Sequence, residues 1–202
     1  MSWSKLKKAV EQFFAESVKG RVALRMTQYK TCEFRCGRGW ITIDGREILD
    51  ASTHRAMDAF GREVRRLMGK DAHKPMNADR RFPVYADQLK SLHMLDDTDF
   101  TAGPGEIGKV RTSVRNDLIE RGFFTEADFL QALSRYPEMP IKDILACRNP
   151  IVRAIAMLDR RVGKRRLKAI DLKKEHLLAR RLLEFRLEAE GMATPAKPAA
   201  ET

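Results

Sequence analysis

The chain has 202 residues, with 39 Lys and Arg against 28 Asp and Glu, and a net charge of +11 at neutral pH. With 43% hydrophobic and 33% charged residues it reads as an ordinary globular protein of one or two domains, which excludes a fibrous or fully disordered chain. The charge favours anionic partners: nucleic acid, an acidic protein or an anionic membrane surface.

No run approaches the roughly 18 apolar residues that a membrane-spanning helix needs. The basic opening MSWSKLKK is followed by no uninterrupted apolar segment, so no secretory leader is expected. Cys32, Cys36 and Cys147 make no disulfide framework, and a reducing cytoplasm is the expected setting.

Ser4 can cap a first helix running to about Val18, with Leu6, Val10, Phe13, Phe14 and Val18 on its apolar face and Gly20 at its end. Arg21 to Tyr29 alternates, with Val22, Leu24 and Met26 on one side. Trp40 to Ile43 and Arg46 to Leu49 flank Asp44-Gly45, the strongest short-range hairpin signal because both turn residues tolerate positive φ. Ile41, Ile43 and Ile48 share one face of that hairpin, and Trp40 and Leu49 the other. Cys32-x3-Cys36 lies between the first two strands. With only the distant His54 to help, it lacks the four ligands of a zinc site and reads as a plain loop.

Ser52 or Thr53 caps a second helix with Met57, Phe60, Val64, Leu67 and Met68 inward. Residues 71–105 read as loops with short helical pieces, one at Tyr85–Leu92. Their acidic run Asp96-Asp97-Thr98-Asp99 lacks the alternating spacing of a calcium loop. Ile107, Val110, Val114 and Leu118 then make a helical stripe ended by Gly122, and Thr125 with Asp128 nearly matches a capping box for a helix to about Arg135. Pro140 opens a short helix to about Cys147.

Asn149 and Pro150 start the next helix, as cap and first turn. Ile151, Ile155, Leu158 and Val162 give it one apolar stripe, and Gly163 ends it. Arg160, Arg161, Lys164, Arg165, Arg166 and Lys168 follow, six cations within nine residues. Residues 141–181 hold 13 basic and 4 acidic groups, whereas residues 83–140 hold 6 and 10, so the positive excess is concentrated here. Asp171 caps a last helix with Leu178, Leu182, Leu183, Phe185 and Leu187, ended by Gly191. The Ala/Pro-rich residues 192–202 read as a disordered tail. The expected fold class is α+β: a small three-stranded antiparallel sheet with an N-terminal helix at 1–51, then a helical region at 52–191 packed on it.

The opening WSKLKKAVEQFF with GRGWITIDGREI, and NPIVRAIAMLDRRVGKRRL near the end, resemble an uncharacterised family of small bacterial cytosolic proteins. That resemblance covers 2–50 and 149–167, leaves the middle 52–140 unmatched, and brings no activity with it. Separately, Asn149-Pro150-x-Val152-Arg153 after Pro140–Cys147 is similar to one HEAT-type helix pair. A single pair makes no solenoid. The likeness implies a tie between Arg153 and Asp143.

Chemistry-bearing motifs are missing from the sequence: no GxxxxGK[ST], no GxGxxG after a strand, no GxSxG and no HExxH. Gly103-Pro104-Gly105 before Lys109 lacks phosphate-loop spacing. No cofactor or metal is expected, and catalysis is the least favoured reading.

The favoured reading is a basic accessory protein that binds a polyanion, RNA first among nucleic acids. Arg160, Arg161, Lys164, Arg165, Arg166 and Lys168 would contact phosphates, and Arg180 and Arg181 would extend the footprint. The alternative is a protein-interaction module in which these cations pair with carboxylates, within the chain or on an acidic partner.

Overall fold

The computed structural model describes residues 2–29, 36–68 and 106–192. Expectations for Cys32, for the 71–105 segment and for the tail beyond residue 192 lie outside the described residues. The fold is α+β: a three-stranded antiparallel sheet, an N-terminal helix and a mostly helical remainder. The strands are β1 (Val22–Gln28), β2 (Gly37–Ile43) and β3 (Arg46–Ser52), in the order β1-β2-β3. The chain divides into two compact units. One takes Met1–Arg25, Trp40–Leu49 and Gln131–Thr202, and the other takes Met26–Gly39 and Asp50–Leu130.

In the first unit, α1 (Trp3–Glu11) starts after Ser2 rather than Ser4 and stops well short of Val18. Tertiary pairing ends it. The backbone at Phe13–Ala15 leaves the helix to run antiparallel to the chain after Leu158: Ala15 N–H donates to the Leu158 carbonyl (2.9 Å) and Arg160 N–H to that of Phe13 (2.8 Å). Phe14 and Val18 are buried as expected, but as part of this crossing rather than as a helix face. The Glu11 carboxylate accepts the Leu24 N–H (3.0 Å). The hairpin turn has φ 49° at Asp44 and 80° at Gly45, the mirror-image turn that matches strand twist. Val22, Leu24, Ile41 and Leu49 are buried.

Two short helices, α5 (Ile141–Ala146) and α6 (Pro150–Leu158), precede the basic segment. Asn149 caps α6 as expected, its Oδ1 accepting from Ile151 N–H (2.9 Å) and Val152 N–H (3.2 Å). The helix itself differs from the amphipathic stripe read from the sequence. Ile151, Val152, Ala154, Ile155, Ala156, Met157 and Leu158 are all buried, so α6 is a central helix, apolar on nearly every side. It ends at Leu158. Val162 is buried beyond it in a turn, and Gly163 caps the start of a separate short helix, α7 (Lys164–Lys168). Asp171 caps only a 3-10 turn at Leu172–Lys174, while His176 Nδ1 accepts Leu178 N–H (3.1 Å) at the start of α8 (Leu177–Ala189), which packs on α6.

In the second unit, α2 (Thr53–Met68) packs on α3 (Glu106–Glu120) through Ala59, Val64, Val114 and Leu118. Leu67, expected inward, is 52% exposed. The buried residues Ala56, Ala59 and Val64 place the inward stripe on a neighbouring line of the helix. The near-match capping box works with aspartate. Asp128 N–H donates to Thr125 Oγ1 (3.0 Å) and Thr125 N–H to the Asp128 carboxylate (2.9 Å), at the start of α4 (Glu126–Arg135). This helix lies directly on β2. A Cβ at Gly37 would overlap the Glu126 carboxylate, and one at Gly39 the Phe129 ring.

Candidate polyanion-binding surface

The basic segment begins where α6 ends, and that end is closed by a buried polar network in the first unit. Asp159 follows seven buried residues and is itself 0% exposed. A carboxylate buried this way needs several donors. Tyr136 Oη donates to Asp159 Oδ2 (2.7 Å), Arg161 N–H to Oδ1 (2.7 Å), and the Arg161 guanidinium to both oxygens (2.7–3.1 Å). The same guanidinium lies 3.9 Å from the centre of the Phe13 ring and reaches the Met139 carbonyl. Its hydrogen bonds to Asp159 raise the Arg161 pKa further above its usual value. Burial, and then the neighbouring Asp159 carboxylate, push the Tyr136 phenol far above its ordinary range.

A second anchor comes from α8. Arg186, 3% exposed, donates to the Leu158 carbonyl (2.8 Å) and bonds Glu190. Arg186 thus meets the carbonyl end of α6, where the helix dipole is negative and backbone acceptors lack helical partners, while Arg161 binds the aspartate that follows it.

The eight cations singled out from the sequence divide accordingly. Arg161 is held internally, as described. Arg180 is also occupied: its guanidinium donates to the backbone carbonyls of Glu175 and Lys173 (2.6 and 3.0 Å). Lys164 is exposed but has one carboxylate oxygen, Glu190 Oε2, at 3.8 Å. Arg160, Arg165, Arg166, Lys168 and Arg181 are exposed and have no carboxylate partner among the described residues. Val162 and Leu167, buried within the segment, seat the turn and α7 so that the intervening cations face solvent. Arg153 pairs with Glu175 and the Leu145 carbonyl, not with Asp143 as the HEAT-type likeness implies; Asp143 is exposed.

Asp159, Tyr136, Arg186 and Glu190 were not among the residues expected to matter. One signal for Asp159 is present in the sequence. An aspartate directly after a nonamer that is apolar except for Arg153 is drawn inward with its helix, and an arginine two residues on is positioned to answer it. Tyr136, Arg186 and Glu190 carry no such local signal, because their partners are distant in sequence.

Among the described residues no three His, Cys, Asp or Glu side chains gather to hold a metal ion. No helix there is long and apolar enough to cross a membrane. Cys147 is a free thiol. What the arrangement can do chemically is present positive charge on a braced turn and short helix. No curated protein and no solved structure matches the chain. One family does, and it covers the middle that the resemblance in the two ends had left unmatched: over residues 2–187 the chain matches the SF0329 protein family, and it belongs to that family.

Proposed function

We propose that this protein binds a polyanion, RNA in preference to DNA, through Arg160, Lys164, Arg165, Arg166, Lys168 and Arg181, as a non-catalytic accessory protein of the bacterial cytoplasm. The observation that carries the reading is the division of the cations. In a segment where Arg153, Arg161 and Arg186 are all answered by carboxylates, these six face solvent and only Lys164 has an acidic neighbour. Interspersed charges on a folded surface are ordinarily matched by opposite ones. A set in which only Lys164 is matched, and all but Arg181 lie within residues 160–168, is suited to phosphates, whose contacts position a nucleic acid without reading its sequence.

The test is an anisotropy titration of a labelled mixed-sequence RNA and of the corresponding DNA duplex at about 50 and 200 mM salt. The wild type is compared with a variant carrying Arg160, Arg165, Arg166 and Lys168 changed to Gln. Salt-sensitive binding, tighter on RNA, that falls at least tenfold in the variant is the expected result. Equal binding by the two proteins removes this surface from the interaction. No binding by either turns the cations toward an acidic protein partner.

A further inference from the structure

Lys164 is the one displayed cation with a carboxylate beside it, and that carboxylate is unusual. Glu190 follows α8, and its side chain is 9% exposed. Oε1 is held by Arg186 and lies 3.5 Å from the Ser17 hydroxyl. Oε2 is buried and has no hydrogen-bond donor among the described residues. The cation facing it is Lys164 Nζ, 3.8 Å away, on a side chain that is 66% exposed. A buried carboxylate oxygen left without a donor is costly. The flexible lysine stem lets Nζ approach and answer it, whereas Arg186 is already committed to Oε1 and to Leu158.

We infer that Glu190 is an affinity-setting residue of the cationic surface: an internal counter-anion that competes with the bound polyanion for Lys164. The inference rests on the polyanion reading above. A ligand phosphate that takes Lys164 leaves Oε2 bare again, so part of the attraction at this position is cancelled. The other displayed cations carry no such penalty. Dense polyanions, which hold several cations at once, tolerate the loss at one of them, while weak or isolated anions do not.

The test is Glu190→Gln, titrated against the same labelled RNA by anisotropy at about 50 mM salt. Glutamine keeps an oxygen for Arg186 and removes the charge. The expected result is a gain, about two- to fivefold tighter binding, the size of a partly exposed ion pair. Damage to the fold would weaken binding rather than strengthen it. In the Glu190→Gln background, Lys164→Met should cost more affinity than it does in the wild type. If Glu190→Gln does not fold, Lys164→Met alone decides: it should cost less than Arg165→Met, and an equal or greater loss overturns the inference. Folded Glu190→Gln that binds no tighter than the wild type also overturns it, with the polyanion reading left standing. A wild type that shows no salt-sensitive RNA binding ends both.

Discussion

Asp159 and Glu190 are both buried carboxylates at the margin of a basic segment, yet they are satisfied differently. Asp159 receives donors from Tyr136, from Arg161's side chain and from its backbone, whereas one oxygen of Glu190 has none among the described residues. The first is a fixed joint, and the second leaves a charge for a mobile lysine to meet. Tyr136 gives the joint a pH signature. The unfolded phenol ionises near its ordinary value of 10.0, while burial and Asp159 keep the folded one protonated well above it. The stabilisation is therefore complete below pH 10 and is lost as pH rises past it, where the unfolded state holds fewer protons. Tyr136→Phe should cost about 1 kcal/mol near pH 8 through the lost hydrogen bond. It should also lose less stability than the wild type between about pH 8 and 10.5. Urea unfolding of both proteins at the two pH values checks this, and parallel declines would place the tyrosine outside the linkage.

At the scale of elements, the local signals that need no distant partner were legible: the Asn149 cap, the Asp44-Gly45 turn and the reciprocal Thr125–Asp128 bonds. Helix ends were not. Ile151, Ile155, Leu158 and Val162 keep a helical period across a break, because Val162 is buried by a turn rather than by a continuing helix. Likewise Phe13, Phe14 and Val18 extend the period of α1 although the chain there pairs with residues after Leu158. Periodicity records which residues are inside and is silent on the geometry that puts them there. The glycines of β2 show the same limit. Their role depends on α4, which lies directly against them. Gly39→Ala should cost about 1–3 kcal/mol, since the Phe129 ring cannot move within a filled core. Gly163→Ala, with φ −70° and open space at its Cβ position, should change stability little. Thermal unfolding of the pair separates close packing from a general intolerance of alanine.

Over the whole molecule, net charge pointed toward an anionic partner but could not say which cations are available to it. A sequence shows six cations in nine residues. It does not show that Arg161 closes a buried joint while Arg160 faces solvent, because that depends on Tyr136, Phe13 and Met139 arriving from elsewhere in the chain. The α+β class was legible from a hairpin and a succession of helical periods. The grouping of the first 25 residues with the C-terminal helices was not. The family match over residues 2–187 takes in both the joint and the displayed cations, so the two roles are open to comparison in any member whose sequence keeps Asp159, Arg160 and Arg161 together.

The most direct measurement of this division is the salt dependence of RNA binding for Arg160→Gln and Arg161→Gln, each paired with its melting temperature. The account predicts that Arg160→Gln lowers the log–log salt slope by about 0.7–0.9, the loss of one phosphate contact, and leaves the melting temperature unchanged. Arg161→Gln should lower the melting temperature by several degrees and keep the wild-type slope at temperatures where it is folded. The reverse pattern, or equal effects on slope from both substitutions, would contradict the division between braced and displayed cations.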